Sequence, residues 1–114
     1  MSTLILHIET ATKVCSVALS VDGNLVAIKE SISNAYIHGE SLTLFIEDVF
    51  RTANLKIEHL AAVSISSGPG SYTGLRIGVS TAKGLCFGLQ IPLIQIPTLA
   101  SLMQLCRNEV PRQN

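Results

Sequence analysis

Net charge is the first thing this sequence lacks. Eight Lys and Arg residues balance eight Asp and Glu, and only 14% of the chain is charged. No long-range field is available to gather nucleic acid, an anionic membrane surface or an acidic substrate. Acid is missing altogether from residues 59–108, which removes the carboxylate that a dinucleotide-binding unit places about twenty residues beyond its glycine-rich turn. Cysteine is sparse: Cys15, Cys86 and Cys106 stand far apart with no CxxC pair, so a disulfide framework is excluded and the three read as reduced core thiols of a cytoplasmic protein. No basic leader with a cleavage site precedes the first strand-like segment at Leu4. The apolar stretch from Gly84 to Cys106 is interrupted by Gln90, Pro92, Gln95 and Pro97, too early for a membrane-spanning helix. What is present, 114 residues of which 47% are hydrophobic, suits one compact soluble domain.

The pattern along the chain is α/β. Residues 4–10 form a mostly apolar run that suits a strand buried on both faces. Cys15, Val17, Leu19 and Val21 alternate to one side, Asp22-Gly23 follows, and Leu25, Val26 and Ile28 return, which predicts a hairpin. Residues 42, 45, 46, 49, 50 and 53 are apolar at helical spacing, so a helix is expected over 41–53, closed by Asn54 in a left-handed conformation. A strand over 61–67, a loop, a helix over 74–88, a strand over 93–96 and a third helix over 98–106 follow. Three strands joined by short turns, then strands joined by crossover helices, describe a mixed five-stranded sheet with three helices, of the ribonuclease H-like kind. Residues 1–106 make this lobe, and 107–114, polar and patternless around Pro111, read as the start of a linker to a second lobe.

The run from Ser66 to Gly78 sits where a strand gives way to a helix, a junction able to hold an anion on free backbone N–H groups. Thr73 stands where a P-loop needs its second glycine, no Gly-Lys pair follows, and the spacing is GxGxxxG. A structural tight turn is therefore favoured over a phosphate site. Glu9, Thr10 and Thr12 lie on the turn after the first strand, where a degenerate phosphate-like loop competes with a plain strand-to-strand turn. His7, His38 and His59 show no metal-ligand spacing, and GxSxG is missing. We expect no metal, no cofactor and no catalytic residue, with His7 a core or sheet-face histidine.

The helix over 74–88 is more informative. Its only charges, Arg76 and Lys83, fall on one narrow side. Leu75, Val79, Ala82 and Cys86 make one apolar stripe, and Ile77, Thr81, Gly84, Leu85 and Gly88 make a second. A crossover helix on a small domain has one face to bury in its own core, so the second stripe is expected to meet another protein, unless a neighbouring helix of the same chain covers it. On the first helix Leu44 lies opposite the core stripe, near Asp48 and Arg51. Leu44, Asp48, Arg51, Arg76, Ile77, Thr81, Lys83, Gly84 and Gly88 are the candidate partner-facing positions.

Several of these segments together resemble the TsaB family: Ile8-Glu9-Thr10-Ala11-Thr12 with Cys15-Ser16-Val17-Ala18-Leu19, the long run from Ser66 to Gly78, Ala82-Lys83-Gly84-Leu85, and Ile91-Pro92 leading to Pro97-Thr98-Leu99. The resemblance covers about residues 4–102. It implies the actin, sugar-kinase and DnaK-type superfamily fold and a protein of two such lobes. It also implies a non-catalytic scaffold or activator subunit that binds the catalytic paralogue TsaD and the ATPase TsaE. In that family TsaD transfers threonylcarbamoyl to the adenosine beside the tRNA anticodon, and the two amino-terminal helices bundle with TsaD or, in its absence, with a second copy. By this resemblance tRNA is met only indirectly. The chain departs from the family at Glu9, where Asp is frequent, and at His38-Gly39-Glu40, where His-Ser-Glu is frequent. Both departures weaken a phosphate site and leave the helix faces intact. The alternative is the nucleotide-binding lobe of an ATP-dependent phosphotransferase, built on Glu9, Thr10 and Thr12.

Overall fold

The structure, a computed structural model, describes residues 2–10, 14–32, 39–66 and 72–96. Five strands and two α-helices are present among them: β1 (Leu4–Glu9), β2 (Val14–Val21), β3 (Asn24–Ile32), α1 (Gly39–Ala53), β4 (Leu60–Ser66), α2 (Tyr72–Leu89) and β5 (Leu93–Ile96), with a short 3-10 turn at Ile57–His59 before β4. The sheet order is β3-β2-β1-β4-β5. β1 pairs antiparallel with β2, and β2 with β3, whereas β4 runs parallel to both β1 and β5. This is the mixed five-stranded α/β sheet that the sequence predicts. The expected third helix, over 98–106, and the tail lie outside the described residues.

The turns follow from local chemistry. Asp22 and Gly23 both take positive φ, 53° and 85°, as the hairpin between β2 and β3 requires. Thr3 N–H donates to Asp22 Oδ1 at 2.7 Å. Asn54 closes α1 at φ 58° and Gln90 closes α2 at φ 58°, the left-handed residue that commonly ends a helix. β3 continues past Ile28 through Lys29, Glu30 and Ser31. Pairing with β2 carries these polar residues, because Cys15 faces Ser31 and Val14 faces Ile32 in the register.

The core lies on one face of the sheet. Leu6, Ile8, Val17, Leu19, Val63 and Ile65 point to it, and α1 adds Leu42, Ile46, Val49 and Phe50 while α2 adds Ala82 and Cys86. Each fully buried aliphatic side chain stabilises the fold by about 1.5–3 kcal/mol relative to exposure. Cys15 and Cys86 are buried free thiols, and burial pushes both thiols above their ordinary value, leaving them unreactive. The opposite face carries His7, whose Nε2 lies 2.8 Å from Ser20 Oγ. The cross-strand neighbours in that register, His7 with Ala18 and Ser64, leave small side chains beside the imidazole.

Candidate partner-binding surface

α2 divides cleanly by exposure. Gly78, Ala82 and Cys86 are buried, and Ile77, Val79, Leu85 and Leu89 are half-buried against the core. Arg76, Ser80, Lys83, Gly84, Phe87 and Gly88 are exposed. Of the second stripe read from sequence, Gly84 and Gly88 therefore face outward, while Ile77, Thr81 and Leu85 sit on the flank and are half-buried. The reason is geometric: residues a quarter-turn from the buried line reach down the side of the helix to the sheet, and only the far side stays free.

Phe87, which the stripes did not include, is 88% exposed. It stands four residues after Lys83, three after Gly84 and one before Gly88. Its sequence signal was its position on the Arg76 and Lys83 side, since the 3.6-residue period puts 76, 80, 83 and 87 on one line. A Cβ added at Gly84 or at Gly88 would find no heavy atom within 4 Å. An aromatic ring thus stands beside two shallow notches of bare backbone, with Lys83 one turn before it on the same line, Arg76 two further turns back, and no acid on the helix. Aromatic anchors next to small residues suit a close helix contact.

On α1, Leu44 is 58% exposed. Asp48 accepts from Arg51 Nη1 at 2.8 Å and from Lys29 Nζ of β3 at 3.3 Å. Lys29 Nζ also lies 5.6 Å from the Phe45 ring centroid. The acid is thereby engaged within the chain, bracing α1 on β3, and Leu44 and Arg51 are exposed on α1 together with Ser41, Thr43, Glu47 and Thr52. α1 and α2 lie in contact with each other, α1 over β2 and β3 and α2 over β4.

At the end of β1 strand and helix approach closely. A Cβ built on Gly78 would overlap Thr10 Oγ1 and meet Ile65 Cδ1 at 3.1 Å. Only glycine lets α2 lie this close to β1 and β4. Thr10 is fully buried at 0% exposure, and its Oγ1 has no hydrogen-bond partner among the described residues, an arrangement that costs about 1–3 kcal/mol. Thr10 thus faces α2, Glu9 is half-buried, and Thr12 lies outside the described residues, as do residues 67–71 of the glycine-rich run. Among the described residues no group of three or more His, Cys, Asp or Glu side chains could hold a metal ion, and no helix is long and apolar enough to cross a membrane.

Comparison with known proteins places the chain. The family model for TsaD, tRNA N6-adenosine threonylcarbamoyltransferase, matches residues 32–113. The tRNA threonylcarbamoyladenosine biosynthesis protein TsaB of Escherichia coli is 37% identical over 100 residues, 88% of this chain and 42% of that protein. The tRNA N6-adenosine threonylcarbamoyltransferase of Geotalea daltonii is 32% identical over 103 residues, 82% of this chain and 30% of the enzyme. The solved structure of YeaZ from Pseudomonas aeruginosa superposes with a TM-score of 0.77 at 28% identity, covering 83% of this chain and 44% of that one. The chain spans less than half the length of these relatives. Motifs, sheet order and these likenesses agree: the chain belongs to the family of the TsaB and TsaD proteins, with TsaB its counterpart within it.

Proposed function

We propose that this chain is the amino-terminal lobe of a TsaB-type subunit that serves tRNA threonylcarbamoyladenosine synthesis in the cytoplasm without doing the chemistry itself. The catalytic partner is a TsaD-type paralogue, which modifies the adenosine next to the anticodon, and a TsaE-type ATPase joins the assembly. The outward surface of α1 and α2 is where the paralogue docks, and a second copy of the chain uses the same surface when the paralogue is absent. The observation that carries this reading is Phe87, 88% exposed beside the open backbone of Gly84 and Gly88. A large ring left in water on the far side of a helix whose other face packs into its own sheet suits an interface anchor. Arg76 and Lys83 supply the polar rim, which orients the partner more than it adds affinity.

The test is solution mass by light scattering, for the chain alone and mixed with the TsaD-type protein. A dimer that converts to a one-to-one heterodimer, with both associations lost in Phe87→Ser, is expected. A monomer that ignores the paralogue overturns the proposal.

A further inference from the structure

Gly78 and Thr10 form a contact that local chemistry disfavours on both sides. Glycine in a helix interior weakens the helix, and a buried hydroxyl, here one with no partner among the described residues, weakens the core. Gly78 is the seventh of eighteen residues in α2, and Thr10 is fully buried beneath it. An alanine in the helix over a smaller side chain at the end of β1 would remove both penalties. Positions where a sequence breaks a local rule without a local gain point to a requirement elsewhere.

The requirement lies on the other side of the helix. Phe87 follows Gly78 by nine residues, which at 3.6 residues per turn is two and a half turns, so the two point in opposite directions about 13 Å apart along the axis. The height of α2 over the sheet at Gly78 therefore sets how far Phe87, Gly84 and Gly88 stand out and at what tilt. We propose that Gly78, through its contact with Thr10, is a positioning residue for the docking surface, holding α2 down on β1 and β4 so that the outward ring and notches meet the partner in register. The proposal rests on the docking role given above for that surface.

In Gly78→Ala the new methyl group collides with Thr10 Oγ1 and crowds Ile65 Cδ1. Ile65 can swing its chain end aside, but Thr10 is β-branched and enclosed, so the helix must rise. Removing the hydroxyl in Thr10→Ala clears the overlap. The experiment compares four versions of the whole protein: unmodified, Gly78→Ala, Thr10→Ala, and the double variant. Affinity for the TsaD-type partner is read by calorimetry at a temperature where denaturant titration shows each version folded. Backbone amide shifts of residues 84–88 are read without partner.

Gly78→Ala is expected to weaken binding at least tenfold and to move those amide shifts, with both returning to within threefold and to the unmodified positions in the double variant. His7→Gln, which disturbs the face of the sheet opposite both helices, should leave affinity unchanged, so that loss of stability alone does not mimic the effect. Unmoved shifts in Gly78→Ala, or shifts that the double variant fails to restore, overturn the positioning role. If the unmodified protein ignores the partner, the docking reading above falls, and the shift measurement still decides the role of Gly78.

Discussion

The same substitution at two glycines of α2 should act with opposite sign. At Gly84 a Cβ meets no heavy atom of the chain itself within 4 Å, so in the monomer, at dilution low enough to part any dimer, Gly84→Ala adds helix preference and nothing else. Alanine is favoured over glycine in a helix interior by about 0.5–1 kcal/mol. For a chain of 114 residues that corresponds to a rise in Tm of roughly 2–5 °C. At Gly78 the same gain is opposed by crowding against Thr10 and Ile65, and overpacking a close contact costs about 1–3 kcal/mol. Gly78→Ala should therefore be neutral to destabilising by about 2 kcal/mol, and the two variants should differ by about 1–3 kcal/mol. Urea unfolding followed by circular dichroism, with a common slope for both variants, measures the difference. A Gly84→Ala protein destabilised as a monomer would mean that the chain itself covers this face, and the surface would no longer be available to a partner. A Gly78→Ala protein as stable as Gly84→Ala would refute the close approach of α2 to β1.

Burial lowers the His7 pKa below its ordinary value of 6.5, so the folded chain prefers neutral imidazole. Its contribution to stability is complete above the unfolded value and is lost as pH falls from about 6.5 towards the lower folded value. The urea midpoint should drop between pH 7 and pH 5, and His7→Gln should flatten that part of the profile. Asp48→Ala removes the bridges to Lys29 and Arg51; because the side chains are partly exposed, the loss should be about 0.5–1 kcal/mol and smaller at high salt, as double-mutant cycles with Lys29→Ala at two salt concentrations will read. In the monomeric chain Phe87→Ser should leave the unfolding free energy within about 0.5 kcal/mol of the unmodified value, as for surface positions, while costing about 2 kcal/mol or more in partner affinity; urea unfolding at low protein concentration and titration calorimetry separate the two.

Much of this protein is local enough to be legible in its sequence. Alternation through Cys15, Val17 and Leu19 fixes which face of β2 is buried, since side-chain period and core contact are the same fact. Asp22-Gly23 dictates the hairpin because few other pairs tolerate two positive φ angles in succession. The apolar spacing of 42, 46, 49 and 50 places the buried line of α1 directly. What the sequence could not say is how deeply each helix sits. Ile77, Thr81 and Leu85 share a stripe with Gly84 and Gly88 on a helical wheel, yet the sheet's width lets the first three pack down its flank and leaves the glycines in water. Asp48 reads as a partner-facing position until the fold brings Lys29 of β3 beside it, a residue 19 positions earlier in the chain. Gly78 and Gly84 look alike in sequence, six residues apart in one helix. Only the tertiary arrangement, which sets one over Thr10 and the other over nothing, decides that the first governs packing and the second is open to a partner.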